Sequence, residues 1–246
     1  MRLFGLIGYP LSQSFSKKFF TEKFEREGLS DCRYESFSIP SIEDLPGILK
    51  AHPDLAGLNV TIPYKQQVLP YLFRKSDQVD RINACNCIKI QENKLTGYNT
   101  DAPAFENSLK EKLQPHHTRA LVLGTGGAAK AVEFSLRQLK IPFKNVSRKP
   151  SAKNFSYDQL TPEHMKEFTL IINTTPLGMY PNVVEAPQIP YHALNANHYL
   201  FDLVYNPVKS LFLQKGEEQG ASIKNGYEML VLQAEDSWRI WNDSDL

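Results

Sequence analysis

The 246-residue sequence predicts an α/β protein with two domains, each made of helices packed over a mostly parallel sheet. Three observations support this fold class. Short apolar runs alternate with segments of helical periodicity along the chain. A strand, a glycine-rich turn and a helix follow one another directly over residues 120–139. Because this unit starts at Arg119, its domain cannot also hold the first hundred residues, which places a boundary near residue 101.

In the first hundred residues the pattern alternates between strand and helix. The predicted strands are Leu3–Gly8, Arg33–Ile39, Leu58–Ile62, Arg81–Ile90 and Lys94–Tyr98, the last two joined by a turn at residues 91–94. Predicted helices carry apolar faces at Phe15, Phe19, Phe20 and Phe24, at Leu45, Ile48 and Leu49, and over Val68–Phe73. Ser41 and Asp44, three residues apart, form a capping pair before the second of these helices.

In the second part of the chain, Asp101 begins a helix with Pro103 in its first turn. Predicted strands follow at Ala120–Leu123, Phe143–Ser147, Thr169–Asn173 and Tyr199–Leu203. A last helix begins after Gly226, with apolar residues every three or four positions as far as Trp241.

The glycine-rich turn has the composition of a dinucleotide-binding loop. Gly124 permits a tight turn, Gly126 lets the backbone come close to phosphates, and Ala129 lets helix and strand approach each other. The first N–H groups of the helix then face the anion. An ordinary strand-to-helix turn remains the alternative, although the flanking strand and helix favour a Rossmann-like nucleotide site.

Composition excludes several classes of protein. The chain has 28 basic and 27 acidic side chains and no basic block interleaved with aromatic residues, which argues against nucleic-acid binding. It has no signal-peptide pattern and no run of apolar residues long enough to span a membrane. Its three cysteines match neither a disulfide framework nor a zinc site. We therefore expect a soluble, cytoplasmic protein without a bound metal.

Polar side chains follow the predicted strands of the first domain, where ligands of open α/β sheets bind. They are Ser12, Ser14, Ser16, Thr61, Lys65, Asn86, Asn99, Thr100 and Asp101. Such hydroxyl, amide, ammonium and carboxylate groups suit a small polyhydroxylated ligand. Taken singly, the serines and Asp101 could merely cap helices, and Lys65 could be solvated.

Taken together, these segments resemble the shikimate dehydrogenase family over nearly the whole chain. The most specific likeness is Gly57-Leu-Asn-Val-Thr-Ile-Pro-Tyr-Lys65, which matches the family's G-x-N-V-T-x-P-x-K. The other matching segments are Gly8–Ser16, Asn83–Cys87, Gly97–Asp101, Gly124–Ala128, Ile172–Met179, Asp202–Pro207 and Gly226–Gln233. The resemblance implies reversible NADPH-dependent reduction of 3-dehydroshikimate to shikimate, a step of aromatic amino acid biosynthesis.

The resemblance also implies roles for individual residues. Lys65 is the acid–base residue, paired with Asp101. Ser14, Ser16 and Tyr205 hold the substrate carboxylate, whereas Asn59, Thr61, Asn86, Asp101 and Gln233 hold the ring hydroxyls and the reacting oxygen. The implied cofactor-binding residues are Gly124, Thr125, Gly126, Gly127, Ala128, Ser147, Arg148, Lys149, Thr174, Met179 and Gly226. The implied segments are a substrate-binding domain (1–101), a Rossmann NADP-binding domain (102–222) and a C-terminal helix (223–246) that packs back on the first domain.

The residues themselves favour NADP over NAD. An NAD site usually places a carboxylate about 20 residues after the glycines, at the end of the next strand. Here that strand ends in Ser147-Arg148-Lys149, and a guanidinium with a hydroxyl suits a 2′-phosphate. A basic loop facing water is the alternative. These residues replace the family's usual N-R-T.

Other departures from the family pattern affect the serine loop and the cysteines. Tyr9, Gln13 and Lys17 stand where Asn, His and Pro are common, and Ala234 stands where Gly is usual. Cys87 replaces the usual threonine after Asn86, and we interpret Cys85 and Cys87 as buried apolar residues.

Two rival functions remain open at this point. One is a dehydrogenase of the same architecture that also or mainly uses quinate, which differs from shikimate by one ring hydroxyl. The other is a catalytically silent relative that senses the metabolite or dinucleotide. The presence of both Lys65 and Asp101 argues against the second, since a sensor needs no acid–base pair. The expected partner is a small-molecule substrate, without nucleic acid or membrane, in a monomer or homodimer.

Overall fold

A computed structural model describes residues 1–11, 15–148 and 154–243. Its Cα positions divide the chain into two compact units. The first unit contains residues 1–100 and the end of the chain from Gln233, and the second contains Asp101–Leu232. The predicted C-terminal segment starts at residue 223. In the structure, residues 223–232 belong to the second unit.

The described residues form strands and helices in alternation. The strands are β1 (Arg2–Gly8), β2 (Cys32–Ser38), β3 (Leu55–Val60), β4 (Arg74–Lys75), β5 (Cys87–Gln91), β6 (Lys94–Tyr98), β7 (Ala120–Leu123), β8 (Phe143–Ser147), β9 (Asn154–Ser156), β10 (Leu170–Asn173), β11 (Tyr199–Asp202) and β12 (Ser222–Lys224). The α-helices are α1 (Phe15–Arg26), α2 (Leu45–Ala51), α3 (Asp77–Ile82), α4 (Asp101–Lys110), α5 (Gly127–Gln138), α6 (Pro162–Glu167), α7 (Leu211–Glu217) and α8 (Tyr227–Asn242).

The first unit contains a mixed sheet, whose described strands run in the order β2-β1-β3-β5-β6-β4. β1 pairs in parallel with β2 and β3, while the hairpin strand β5 is antiparallel to β3 and β6. Leu3 and Ile7 of β1 enter one hydrophobic cluster, and Phe4 and Leu6 enter another. Because successive side chains of a strand point to opposite faces, this sheet is covered on both sides.

The second half of α8 belongs to the first unit and covers one face of its sheet. Trp241 donates its indole N–H to the carbonyl of Ile88 in β5 at 3.0 Å. It lies over Gly57 in β3, where a Cβ atom would be 2.4 Å from the indole nitrogen. Only glycine therefore leaves room for this ring. The prediction that the C-terminal helix packs back on the first domain is confirmed for residues from Gln233 onward.

The second unit contains a parallel sheet of the Rossmann type, with its described strands in the order β12-β11-β10-β7-β8-β9. Its central strand β7 places Ala120 and Val122 in one hydrophobic cluster and Leu121 and Leu123 in another. Both faces of the strand are buried, as expected for a parallel sheet between helical layers. The predicted fold class is confirmed.

Two predicted elements of the first hundred residues are wrong. Val68–Phe73 is not an α-helix but a 3-10 turn at Leu69–Tyr71, after which the N–H of Phe73 donates to Leu95 of β6. Pro70 cannot donate a helical hydrogen bond, which favours the shorter turn.

The predicted strand Arg81–Ile90 is wrong in its first half, because Asp77–Ile82 forms α3. The Ser76 side chain accepts from Val79 N–H at the helix start, and Asn83 ends the helix with a left-handed φ of 58°. These local capping bonds outweigh the weak strand pattern.

The described residues contain no helix that is long and apolar enough to cross a membrane. Within the same residues, no group of three or more His, Cys, Asp or Glu side chains is arranged to hold a metal ion.

Candidate active site

In the second unit, four loops leave the same edge of the sheet. Leu123 of β7 is in register with Asn173 of β10 and Val146 of β8, and Asn173 is in register with Asp202 of β11. The strands are parallel, so their carboxyl ends meet at one edge. The segments that begin at Gly124, Arg148, Thr174 and Leu203 therefore start at the same edge, where doubly wound sheets bind ligands.

Gly124 and Gly126, in the turn after β7, differ in whether the fold requires glycine. Gly124 has a φ of +116°, and a Cβ there would lie 2.5 Å from Thr174 Oγ1, so the fold itself requires glycine. Gly126 is the N-cap of α5 with φ −79° and ψ −171°, which any residue adopts. A Cβ at Gly126 would meet nothing within 4 Å. The fold does not need this glycine, and the open space before it fits close approach of a pyrophosphate.

The other predicted residues of the glycine turn lie beside this space. Thr125 is exposed, and Gly127 and Ala128 are the first residues of α5. The first N–H groups of a helix have no intrahelical acceptor and carry the positive end of the helix dipole. Ala129 is fully buried against β7, as expected for the helix–strand contact.

Asn145 also supports this loop, and sequence reasoning missed it. Its side-chain N–H groups donate to Gly124 O at 3.1 Å and to Glu133 Oε1 of α5 at 2.9 Å. Asn145 thereby ties β8 to the first glycine of the turn and to the helix α5 that follows it. Its position two residues before Ser147 is the only sequence signal for this role.

Ser147 ends β8, and the exposed Arg148 follows it. Asn154 of β9 donates to Ser147 Oγ at 2.8 Å. The pKa of the Tyr157 phenol is raised by burial, and the positive charge of Arg148 partly offsets that shift, so these two side chains are neighbours. Lys149 lies outside the described residues.

The remaining predicted residues of the second unit lie on the loops after β10 and β11. Thr174 Oγ1 donates to Leu123 O at 2.7 Å, and Met179 is 44% exposed. Tyr205 is half-buried, and burial raises the pKa of its hydroxyl, which keeps it a neutral donor. Gly226 packs on the loop after β11, where a Cβ would lie 2.3 Å from Leu203 O.

In the first unit, buried polar side chains cluster where β3, β5 and β6 meet. Asn86 accepts the Thr100 N–H at 2.7 Å and donates to Thr100 Oγ1 at 2.9 Å. Asn59 Nδ2 donates to Asn86 O at 3.4 Å and to Ser237 Oγ of α8 at 2.9 Å. Asn59 Oδ1 accepts the Tyr34 hydroxyl at 2.8 Å. The tertiary structure thus brings Asn59 and Asn86, both predicted to bind the substrate, into direct contact.

Tyr34 and Ser237 belong to this cluster and were not predicted. The Tyr34 hydroxyl also hydrogen-bonds Ser16, and burial raises the pKa of this phenol, so it remains neutral. Ser237 is fully buried and donates to Gln233 O at 2.8 Å. A sequence signal for Ser237 exists, because Gln233, Ser237 and Trp241 are spaced by four and share one face of α8.

Thr61 and Lys65 follow β3 in a run of turns rather than in a helix. The Thr61 N–H donates to Ile7 O at 2.9 Å, and Lys65 O accepts the Cys85 N–H at 2.8 Å. The backbone on both sides of the half-buried Lys65 side chain is therefore fixed to the first unit. Asp101 is buried and begins the second unit, so its pairing with Lys65 stays a prediction. Ser14 lies outside the described residues.

Cys85 and Cys87 are both fully buried in hydrophobic clusters of the first unit. Burial raises the pKa of the Cys87 thiol, which keeps it protonated. The interpretation of these two residues as apolar packing groups is confirmed.

Comparison with known proteins gives a consistent match. Residues 6–88 match the family model described as the shikimate dehydrogenase substrate binding domain. The shikimate dehydrogenase (NADP(+)) of Caldicellulosiruptor saccharolyticus is 32% identical, over 99% of this chain and 93% of that protein. The Staphylococcus aureus protein of the same name is 34% identical, over 98% of this chain and 93% of that protein. The chain belongs to the shikimate dehydrogenase family.

A solved structure gives the same relationship in three dimensions. The shikimate 5-dehydrogenase of Thermus thermophilus, solved in complex with NADP(H) and shikimate, aligns with a TM-score of 0.86 at 31% identity. The alignment covers 98% of this chain and 94% of that one. In this member of the shikimate dehydrogenase family, the matched segment 6–88 contains Ser16, Asn59, Thr61, Lys65 and Asn86.

Proposed function

We propose that this chain catalyses the reversible NADPH-dependent reduction of 3-dehydroshikimate to shikimate in the shikimate pathway. The observation that carries the proposal is Lys65, held by its backbone beside the buried Asn59–Asn86–Thr100 cluster within the family's own lysine motif. The full-length relationship to shikimate dehydrogenases supports it.

In the polar cluster of the first unit, some hydrogen-bond donors and acceptors remain available to a ligand. Asn59 has used both N–H groups and one lone pair, which leaves one carbonyl lone pair for a ring hydroxyl. Asn86 has one N–H and one lone pair left. Thr61 and Gln233 supply further groups, and Ser14, Ser16 and Tyr205 are proposed to donate to the substrate carboxylate. A ring with several hydroxyls and one carboxylate suits this set of donors and acceptors.

Lys65 is the proposed acid–base residue. NADPH supplies the hydride, and the developing negative charge on the substrate oxygen is stabilised by the ammonium, which can also give the proton. The carboxylate of Asp101 is proposed to orient that ammonium and the reacting hydroxyl. In the opposite direction, Lys65 accepts the proton from shikimate.

The cofactor is proposed to lie on the glycine turn of the second unit. The open space before Gly126 and the N-terminus of α5 fit the pyrophosphate. Ser147, Arg148 and Lys149 are proposed to hold the 2′-phosphate, and Thr174, Met179 and Gly226 to line the nicotinamide end. A cytoplasmic location and a monomeric or homodimeric state complete the proposal.

Initial rates test this function. Rates are measured for shikimate and for quinate, each with NADP⁺ and with NAD⁺, by absorbance of the reduced nicotinamide. We expect the highest kcat/KM for shikimate with NADP⁺. A higher value for quinate would instead indicate a quinate dehydrogenase, and no turnover of either substrate would indicate a sensing relative.

The choice of cofactor depends mainly on Arg148. Arg148→Ala should lower kcat/KM for NADP⁺ roughly 30-fold, because a hydrogen bond to a charged group contributes about 2 kcal/mol. The value for NAD⁺ should stay unchanged, since NAD⁺ has no 2′-phosphate. Lys144→Ala is the matched control, because it removes an exposed cation from β8, the strand that Arg148 follows. Equal losses with both cofactors in Arg148→Ala would contradict the assignment.

A further inference from the structure

Asn173 and Asp202 form a fully buried polar pair between two neighbouring strands of the second unit. They are the last residues of β10 and β11 and lie in register. Asn173 Nδ2 donates to Asp202 Oδ1 at 2.9 Å. Neither residue belongs to the predicted substrate or cofactor contacts, so their burial and mutual contact need another explanation.

Asn173 fixes the loop that follows β10. Its Oδ1 accepts Thr175 Oγ1 at 2.7 Å and the Thr175 N–H at 3.0 Å. The Leu177 N–H in turn donates to Thr175 Oγ1 at 3.3 Å. The start of the segment 174–179, which contains Thr174 and Met179, is therefore held by hydrogen bonds to the Asn173 side chain.

Asp202 fixes the loop that follows β11 at both of its ends. Its Oδ1 accepts the Val204 N–H at 3.0 Å, and its Oδ2 accepts the Ser210 hydroxyl. Ser210 is also the N-cap of α7, where it accepts the Leu213 N–H at 3.4 Å. Residues 203–210, which include Tyr205, thus form a loop closed on one carboxyl group.

The loop that this carboxyl group holds makes two backbone hydrogen bonds to other segments, one of them to the predicted contact Gly226. The Gly226 N–H donates to Val204 O at 3.2 Å, and the Tyr180 N–H donates to Asn206 O at 3.1 Å. The second bond joins the two loops to each other. The loops that contain Met179 and Tyr205, and the backbone of Gly226, are therefore linked by hydrogen bonds to Asp202 and its partner Asn173, whereas Thr174 is also held by Leu123 O.

We propose that Asp202 is a positioning residue, whose ionised carboxylate holds the loops 174–179 and 203–210 in the arrangement that the proposed reaction needs. This inference rests on the proposed function. Three donors converge on the carboxylate: Asn173 Nδ2, the Val204 N–H and the Ser210 hydroxyl. An ionised carboxylate accepts all of them, whereas its protonated form carries an O–H and loses one acceptor site.

The charge state of this group should change near neutral pH. Burial raises the pKa of Asp202 to about 7, against the opposing effect of its three hydrogen bonds. The titratable side chain that the Asp202 charge reaches is Tyr191, whose pKa is raised by burial and also by this carboxylate. Below its pKa Asp202 is neutral and should hold the loops less firmly.

Asp202→Asn tests the proposal, because it makes a side chain of the same shape that is neutral at every pH. Glu218→Gln is the matched control, since it makes the same change from carboxylate to amide at the exposed position that follows α7. At pH 8.5 we expect Asp202→Asn to lower kcat/KM for NADP⁺ roughly 30-fold, the scale of a small displacement of contact groups. The ratio of wild-type to variant kcat/KM should shrink toward one as pH falls through about 7. A ratio that stays constant with pH overturns the proposal.

Amide hydrogen exchange without substrate separates this inference from the proposed function. Asp202→Asn should speed exchange in residues 174–179 and 203–210 but leave β1–β6 unchanged; unchanged exchange in both loops refutes the positioning role. If Asp202→Asn does not fold, Ser210→Gly removes one donor while keeping an acceptable helix cap. This variant should speed exchange in residues 203–210 and shift the pH dependence of kcat/KM to higher pH. If neither change occurs, the positioning role is refuted. Absence of shikimate turnover in the wild type, with faster loop exchange in the variants, refutes only the proposed function.

Discussion

Lys65→Ala is expected to lower turnover of shikimate about a thousandfold while the variant still binds shikimate, because it removes the acid–base group. The substitution should leave the fold intact. The backbone at this position is fixed by Cys85 N–H to Lys65 O at 2.8 Å, a bond that alanine keeps. The measurements are kcat with NADP⁺ and the dissociation constant of shikimate.

Lys50→Ala is the control for Lys65→Ala, since it removes an exposed lysine of the same unit in the last turn of α2. It should behave like the wild type. Near-normal turnover in Lys65→Ala would remove this lysine from the mechanism. If Lys65→Ala loses both shikimate binding and turnover, Lys65 would instead be a binding residue.

Gly126→Asp is expected to abolish NADP⁺ binding without destabilising the protein. The backbone at Gly126 is extended, and a side chain there meets no protein atom within 4 Å. Asp is also among the best N-cap residues, so α5 should gain roughly a few tenths of a kcal/mol. The new carboxylate would occupy the place proposed for the pyrophosphate and repel its charge. We expect the dissociation constant of NADP⁺ to rise more than about a hundredfold, equivalent to about 3 kcal/mol.

Thermal unfolding and NADP⁺ titration together test Gly126→Asp. The melting temperature should equal or exceed that of the wild type. Gly47→Asp is the control, because a side chain at Gly47 also meets nothing within 4 Å. Wild-type NADP⁺ affinity in Gly126→Asp would show that the cofactor does not approach this turn.

Periodicity predicted most of the longer regular elements, whereas α3, which is defined by local capping bonds, was missed. The strand Phe143–Ser147 and the helix that begins at Asp101 were predicted with their observed starts. The errors fall on short elements. β4, with two residues, and β9 and β12, with three residues each, are too short for a pattern and form only because a neighbouring strand offers hydrogen bonds.

Some residues of the candidate site could be named from the sequence, and others could be found only in the structure. Lys65, Asn59 and Asn86 could be named from short sequence motifs that resemble those of the family. Tyr34 and Ser237 could not, because they reach Asn59 from sequence distances of 25 and 178 residues. Asp202 was visible only as part of a motif, and its role depends on the register between β10 and β11.

The sequence by itself determined the α/β class, the two-domain order, the glycine turn and the family, since each depends on local pattern or on motifs within about ten residues. The tertiary structure alone decided that the first sheet is mixed, that Gly126 faces open space and that Asp202 accepts hydrogen bonds from Asn173 and Ser210. The physical reason is that strand register and side-chain hydrogen bonds join residues far apart in the chain. Their free energy depends on burial and geometry that exist only after folding.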